Sequence, residues 1–302
     1  MADVIGLIGD GIGILSFIAS IFPNRGTSNA CTVRIAAALN GNGLSGGDGS
    51  VAQVRLYNEN QQIIGNAPGG YASSGGFKDI TVSQTNTQQS TFIQLAASND
   101  AICIPYASTT WVDGGKYGWV GDWGYKCGLQ WYWGNVYVDN GKNKPRCTWI
   151  DADHTNGIPP GMLFIHWPSF AGNQGHSDNP SSYCGWPAFR AYKDPNGGGV
   201  IVKKDNGDSG ETKVIKRALD SRLVVSSEPS HNATELCASE TSRGPDFVSL
   251  AEGVYCNMET SETLPLCGGA LQAACFQLES NGHVKRDGNS TQKPYTEVIK
   301  WE

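Results

Sequence analysis

The first 22 residues constrain the fold of this chain more than any other feature. They are almost entirely apolar, and Pro23 ends the run. The small residues among them recur at intervals of four, three, four, three and four, at Ala2, Gly6, Gly9, Gly13, Ser16 and Ser20. This spacing predicts a helix over residues 1–23 with a seam of small residues that a second backbone can approach closely. Because a helix that is apolar on all sides is unstable in water, the segment must be buried.

Four environments are able to bury such a segment. A cleaved signal peptide is disfavoured, because no basic residue precedes the apolar run and Asp10 interrupts it. A stable membrane span is disfavoured by the same carboxylate, which costs about 2.5–3.5 kcal/mol in a bilayer core. Transient insertion into a target membrane stays open. Packing against protein is favoured, either on the chain's own domain or, given the spare apolar surface, against a second copy.

The composition favours a turn-rich β protein. Among 302 residues there are 39 Gly, 9 Trp and 11 Tyr, and only 17% of the residues are charged. The net charge of −6 and the lack of a basic stripe argue against nucleic acid as a partner.

The chain changes in character near residue 200. Residues 1–200 contain one glutamate, Glu59, whereas residues 201–302 contain ten.

Short stretches of nearly alternating hydrophobicity, bounded by Gly, Asn and Ser, predict an antiparallel β-sandwich or jelly roll. The predicted organisation is an apolar helix over 1–23, a β-sandwich domain over 24–200, a linker over 201–217 and a small cysteine-rich module over 218–302. The polar residues 24–29 predict that the helix is separable from the domain.

The nine cysteines divide at the same boundary. Four lie close together in the tail and predict two disulfides with the pairing left open: Cys237, Cys256, Cys267 and Cys275. Five lie in the larger part and leave one cysteine unpaired: Cys31, Cys103, Cys127, Cys147 and Cys184. No pair has the C-x-x-C spacing of a zinc site, so disulfides are favoured over metal binding.

The tail also carries signs of secretion. Two acceptor triplets for N-glycosylation begin at Asn232 and Asn289. With the cysteines they predict an extracellular or cell-surface protein, although the amino terminus lacks a convincing cleavable signal. Two dibasic pairs, at 216–217 and 285–286, are candidate processing sites.

Two clusters are candidate ligand sites. Aromatic residues crowd into residues 111–133, and they either fill a core or, where exposed, stack on sugars; the candidates are Trp119, Trp123, Trp131 and Trp133. Asp151, Asp153 and His154 follow a predicted strand. They are candidate ligands for a metal of unknown identity or a candidate general acid–base pair, or they form a turn with Asx hydrogen bonds.

No motif predicts an enzyme or a cofactor. Residues 207–210 match the nucleophile tetrapeptide of trypsin-like proteases, but Glu211 stands where that family has a second glycine. The His-bearing partner motif that such a nucleophile needs is missing. We therefore expect a non-enzymatic protein without a cofactor.

Several stretches resemble a family of uncharacterised filamentous-fungal proteins. They are the amino-terminal segment ending in Phe22-Pro23, residues 99–106, 117–124 and 145–151, and, in the tail, residues 221–225, 237, 256–260 and 266–267. The resemblance covers most of the chain. It implies a fungal origin, an apolar Gly-rich amino-terminal helix, a β-rich domain and a Cys-rich tail module, and it implies no activity.

These features predict a non-enzymatic, self-assembling fungal protein of the extracellular space or cell surface. Its partner is a second copy of itself, in an oligomer or a filament, and the amino-terminal seam is the contact. A membrane-active effector or toxin that inserts the same segment is one alternative. A lectin-like protein that binds cell-wall carbohydrate is another.

Overall fold

The computed structural model describes residues 2–8, 11–26, 29–39, 47–173, 175, 177–201, 220–268, 274–284 and 290–302. The chain divides into two compact units, the first made of residues 1–40 and 44–213 and the second of residues 41–43 and 214–302. Strands account for 45% of the structure and helices for 9%. The prediction of a mainly β protein is therefore confirmed.

The first unit is built from short strands. They are β1 (Ala2–Ile8), β2 (Gly11–Phe17), β3 (Ala30–Ala36), β4 (Gly49–Tyr57), β5 (Ile63–Ala72), β6 (Phe77–Ser83), β7 (Phe92–Ala97), β8 (Ile102–Ile104), β9 (Tyr106–Thr110), β10 (Lys116–Val120), β11 (Trp131–Tyr132), β12 (Cys147–Ile150), β13 (Met162–His166) and β14 (Phe189–Tyr192). Between them lie the short helix α1 (Asp122–Lys126) and the 3-10 turns Ala19–Ile21, Thr155–Gly157, Trp167–Phe170 and Pro180–Tyr183.

These strands form antiparallel sheets, as predicted. Their orders are β1-β2, β10-β9-β3-β6, β11-β12-β8 and β14-β13-β7-β4-β5. One hydrophobic cluster takes buried side chains from all of these sheets, among them Val4, Val33, Leu56 and Ile150. The sheets of the first unit thus share one core.

The pattern of burial explains why these residues form strands. In β4, Val54 and Leu56 face the core, while Arg55 and Tyr57 lie on the other face. Strand β7 occupies the middle of its sheet and is buried on both faces, consistent with its nearly continuous apolar sequence. Alternation marks the half-exposed strand, and a continuous run marks the central one.

The prediction of an amino-terminal helix is wrong. Residues 2–8 and 11–17 form a hairpin that pairs antiparallel, from Ala2 opposite Phe17 to Ile8 opposite Gly11. Four glycines weaken a helix here by about 1 kcal/mol each. The many isoleucines, whose branched side chains are stiff, favour strands instead.

The hairpin belongs to the core of the first unit. Val4, Ile5 and Phe17 are all at most 1% exposed. The backbone N–H of Gly172 donates to the carbonyl of Asp3 at 2.7 Å, and the indole Nε1 of Trp123 donates to the carbonyl of Ile5 at 2.9 Å. The segment is therefore not separable, contrary to the prediction made from the polar residues 24–29.

The second unit contains a mixed sheet. Its elements are β15 (Arg222–Ser226), α2 (Ala233–Ala238), β16 (Asp246–Ser249), β17 (Val254–Asn257), β18 (Glu262–Pro265), β19 (Cys275–Gln277), β20 (Gly282–Val284), β21 (Ser290–Gln292) and β22 (Glu297–Trp301). The sheet orders are β18-β17-β16-β15-β22 and β19-β20-β21, and β15 pairs in parallel with both β16 and β22. A small core surrounds Tyr255 and Phe276, whose rings stack with centroids 3.9 Å apart.

Eight cysteines form disulfides. The pairs are Cys103–Cys147, Cys127–Cys184, Cys237–Cys256 and Cys267–Cys275. The prediction of two disulfides in the tail is confirmed, as is the prediction of one unpaired cysteine in the larger part. That cysteine is Cys31, which is buried beside the hydroxyls of Thr109 (3.0 Å) and Ser90 (3.4 Å).

The contact between the hairpin and β10 gives a test of this packing. A Cβ added at Gly118 would lie 2.7 Å from Phe17 Cε2 and 3.0 Å from Val4 Cγ2. We expect Gly118→Ala to lower the free energy of unfolding by about 1–3 kcal/mol, because the buried hairpin has no room to move away. Urea denaturation measures the change. As a control, Gly175→Ala places a Cβ with no atom within 4 Å; equal stability of the two variants would contradict the packing described here.

Candidate functional site

The predicted seam residues lie in the hairpin and do not form a seam. Ala2 and Gly6 are in β1, Gly13 and Ser16 are in β2, and Ser20 is in the first 3-10 turn. Gly9 lies outside the described residues. In a strand, residues three apart lie on opposite faces and residues four apart lie on the same face. The regular spacing of the small residues therefore does not place them on one surface.

The glycines instead allow close packing within the hairpin. Gly6 and Gly13 are directly opposite each other. A Cβ at Gly6 would lie 2.5 Å from Leu15 Cδ1, and one at Gly13 would lie 2.6 Å from Ile8 Cδ1. The large side chains of each strand therefore cross over the glycine of the other. The close approach predicted between two copies occurs inside one chain.

Among the described residues, β2 pairs with β1 and with no other strand. The carbonyls of Asp3 and Ile5 point away from β2, since they accept hydrogen bonds from Gly172 and Trp123. Directly opposite residues of an antiparallel pair either bond each other or both turn outward. Ser16 and Ile14, which lie opposite Asp3 and Ile5, therefore turn their backbone groups outward. No described residue donates to or accepts from those groups.

We call this side of residues 11–16 the open edge. Its strand carries no charge and no proline, and Ile14 is 45% exposed. Natural edge strands are usually protected by lysine, proline or a bulge. Strand β5, at the end of its sheet, carries Pro68. Strand β2 itself carries no such residue; the charged group nearest to it in the hydrogen-bond network is the exposed carboxylate of Asp3 in β1, which accepts a hydrogen bond from the Ser16 hydroxyl at 2.8 Å.

The tryptophans proposed to stack on sugars are buried. Trp119, Trp123 and Trp131 are 0% exposed and Trp133 is 2% exposed, so none of them offers a ring face to a ligand, and this assignment is wrong. Arg146 accounts for part of the cluster. Its guanidinium carbon lies 4.4 Å from the Trp133 centroid, and its Nη1 lies 3.1 Å from the Asp122 carboxylate. The cluster is a core built around a paired cation.

Asp151, Asp153 and His154 do not form a metal site. Asp151 is fully buried; its Oδ2 accepts a hydrogen bond from the Thr155 hydroxyl at 3.0 Å, and its Oδ1 has no partner. Asp153 is exposed and accepts the Thr155 N–H at 3.1 Å, which is the alternative Asx turn. Across the described ranges, no three His, Cys, Asp or Glu side chains converge on a point that would hold a metal ion.

The remaining predicted sites have different outcomes. Asn232 is exposed and caps α2, its Oδ1 accepting the N–H of Glu235 at 2.6 Å. A glycan would be attached through Nδ2, so this cap neither requires nor opposes one. Glycosylation of Asn232 stays a prediction. Asn289, both dibasic pairs and the protease-like tetrapeptide at 207–210 lie outside the described residues.

Comparisons with protein families and with curated proteins identify no relative. No protein-family model matches the chain, and no curated protein matches it. The resemblance to a fungal family therefore stays a prediction. None of the helices formed by the described residues has the length and apolar character that crossing a bilayer requires.

The buried carboxyl of Asp151 predicts a pH dependence of stability. Burial, and next the Asp153 carboxylate, raise the pKa of Asp151 from 3.8 to about 6. Between these values the folded state keeps a proton that the unfolded state has lost, so stability falls as pH rises from 4 to 6. Above pH 6 Asp151 is ionised in both states, and the free energy of unfolding stays lower than below pH 4 by up to about 3 kcal/mol.

We expect Asp151→Asn to remove this slope and to stabilise the protein at pH 7. Asparagine keeps the shape of the side chain without a charge. Urea denaturation of the wild type and the variant at pH 4, 5, 6 and 7 measures the difference. Parallel stability profiles for the two proteins would show that Asp151 is not the responsible group.

Proposed function

We propose that this is a non-enzymatic protein that associates with a second copy of itself through the open edge of the amino-terminal hairpin. The observation that carries the proposal is the unpaired, uncharged edge formed by Ile14 and Ser16. It replaces the helical seam as the contact, while the assembly function inferred from the sequence is retained.

The chemistry of the edge favours an identical partner. Two copies of one strand pair antiparallel about a two-fold axis, so that each copy contributes the same residues and the contact is self-complementary. A neutral strand pairs with its copy without charge repulsion. Main-chain hydrogen bonds supply the attraction, as in other cases of strand addition, at about 0.5–1.5 kcal/mol each.

The geometry favours a closed dimer over a filament. Pairing of two β2 strands gives the order β1-β2-β2-β1. On its other side β1 is occupied, because Val4 bridges to Ala171 and Gly172 donates to Asp3. A further copy has no free backbone edge on β1 to extend this sheet. With only a few hydrogen bonds, the dimer should form in a concentration-dependent way.

The chemical environment of the protein supports an extracellular location. Four disulfides indicate an oxidising compartment. We propose that the protein is secreted or displayed at the cell surface, with Asn232 as a glycosylation site. We propose further that the two larger sheets of the first unit form the β-sandwich inferred from the sequence, because their buried residues share one core.

A membrane-active protein is a second candidate. Two isoleucines of the hairpin are exposed, Ile8 at the end of β1 (51%) and Ile14 in β2 (45%). Apolar side chains at the tip of a hairpin are able to enter the interfacial region of a bilayer. This candidate uses the side chains of the hairpin, whereas the dimer uses its backbone, so the two are separable by mutation.

Substitutions at Ile14 test the dimer. Ile14→Lys should abolish association, because two lysines would face each other across the two-fold axis. Ile14→Pro should also abolish it, since proline removes an outward N–H that β1 does not use. Sedimentation velocity over a hundredfold range of concentration measures the association.

Leu250→Lys is the matched control, because Leu250 is equally exposed but lies in a turn of the second unit. The proposal fails if the wild type is monomeric throughout the range, or if both Ile14 variants associate like the wild type. Dye leakage from liposomes that Ile14→Lys abolishes and Ile14→Pro retains would favour the membrane-active candidate.

A further inference from the structure

One tryptophan differs from all the others in its exposure. Eight of the nine tryptophans are at most 6% exposed, whereas Trp186 is 41% exposed. The core of this protein accommodates the other eight indoles, so the exposure of Trp186 is an exception within the chain. An exposed aromatic ring of this size is a feature of binding surfaces.

Trp186 rests on the outer face of the five-stranded sheet. Its ring is nearly parallel to that of Phe92, with centroids 5.2 Å apart and an angle of 9°, and it also stacks on Phe164 at 6.1 Å. Tyr57 packs edge-on against Phe164 at 5.3 Å and donates a hydrogen bond to Gln94 at 2.6 Å. These contacts hold the indole in place, so that the exposed part of the ring is a rigid platform.

Charged groups of both signs flank the platform. The guanidinium carbon of Arg190 lies 5.3 Å from the Trp186 ring centroid. The carboxylate of Glu59 is 67% exposed and lies 3.1 Å from His166 Nε2, and the His166 ring packs on Phe92 at 4.2 Å. The surface therefore combines a part-exposed indole with the exposed carboxylate of Glu59, an acceptor, and the half-buried guanidinium of Arg190, a donor.

We propose that this surface, formed by Trp186, Arg190 and Glu59, binds a neutral β-linked oligosaccharide. A sugar ring with equatorial hydroxyls presents a flat face of C–H groups, which packs on an indole. Its hydroxyls radiate from the rim, where a carboxylate accepts and a guanidinium donates hydrogen bonds. Because Arg190 and Glu59 carry opposite charges, the surface suits a ligand without net charge.

The hydrogen bonds of His166 fix the carboxylate in its role as an acceptor. Burial lowers the pKa of His166 against the opposing effect of Glu59, which favours the neutral imidazole. Because a carboxylate only accepts, Nε2–H donates to Glu59, and Nδ1 accepts the hydroxyl of Ser169 at 2.8 Å. Although its slight burial acts to raise it, hydrogen bonding that includes His166 holds the pKa of Glu59 below its ordinary value.

The Ser169–His166–Glu59 string does not imply hydrolysis. A serine nucleophile needs its hydroxyl exposed to substrate and its carboxylate partner buried behind the histidine. Here the carboxylate is exposed and Ser169 is half-buried, which is the reverse order. The two hydrogen bonds of His166 orient Glu59 toward the surface, and Glu59 is the residue of the three that would contact the ligand.

Titration calorimetry with cellohexaose, laminarihexaose and chitohexaose tests the proposal on the full chain. We expect at least one of the three to bind. Trp186→Ala should weaken that binding about tenfold or more, because the platform is lost. Trp186→Tyr should retain it within about threefold, and Glu59→Gln should weaken it about three- to tenfold through the lost charge.

Tyr71→Ala is the control, because Tyr71 is an exposed aromatic residue on β5, away from the platform. The affinity of the Tyr71→Ala variant for the same sugar should stay within about twofold of that of the wild type. Thermal unfolding confirms that each variant is folded, and Trp186→Tyr keeps the test valid if Trp186→Ala is not. No binding of any of the three sugars, or equal losses in Trp186→Ala and Tyr71→Ala, would overturn the proposal.

Discussion

The indole of Trp123 joins the amino-terminal hairpin to the rest of the first unit. Its Nε1 donates to the carbonyl of Ile5, and its ring packs on Tyr183 with centroids 4.4 Å apart. The helix that carries Trp123 is itself fixed from both ends, by the ion pair of Asp122 with Arg146 and by the disulfide of Cys127 with Cys184. The apolar segment is thus held by a polar bond within an aromatic core, and the open edge depends on that placement.

Much of the fold was predictable, because burial leaves a simple trace in the sequence. Strands such as β4 alternate, central strands such as β7 are continuously apolar, and the paired cysteines of the tail are close in sequence. The predicted helix over residues 1–23 was wrong because the spacing of small residues suits a helix, whereas the isoleucine-rich composition suits strands. The Gly9-Asp10 dipeptide between two runs rich in isoleucine is a hairpin signal, and it would have favoured the correct structure.

The candidate sites were harder to predict, for a physical reason. Trp119, Trp123, Trp131 and Trp133 lie near one another in sequence, and proximity says nothing about which face of a sheet a ring occupies. Trp186 lies outside any periodic strand, so no pattern marked it as exposed. Likewise, an edge strand is defined by the neighbour that it lacks. The sequence does not show this, whereas the sheet order of the described residues places a strand on only one side of β2.

The two surfaces are connected by one short stretch of backbone. His166 and Ser169 orient Glu59 at one end of residues 166–172. At the other end Ala171 and Gly172 pair with β1 and thereby leave β2 as the free strand. Residues 166–172 therefore shape both the surface proposed to bind sugar and the edge proposed to join two copies.

Cys31 has a consequence of a different kind. An odd thiol is a hazard in an oxidising compartment, since it can exchange with the disulfides around it. Burial raises the pKa of Cys31, and the hydroxyls of Ser90 and Thr109 surround its sulfur, so the reactive thiolate is both scarce and out of reach. The first unit therefore contains a natural reporter of its own integrity: a thiol reagent reacts at this position only when the core opens, and the rate of labelling measures how often it does.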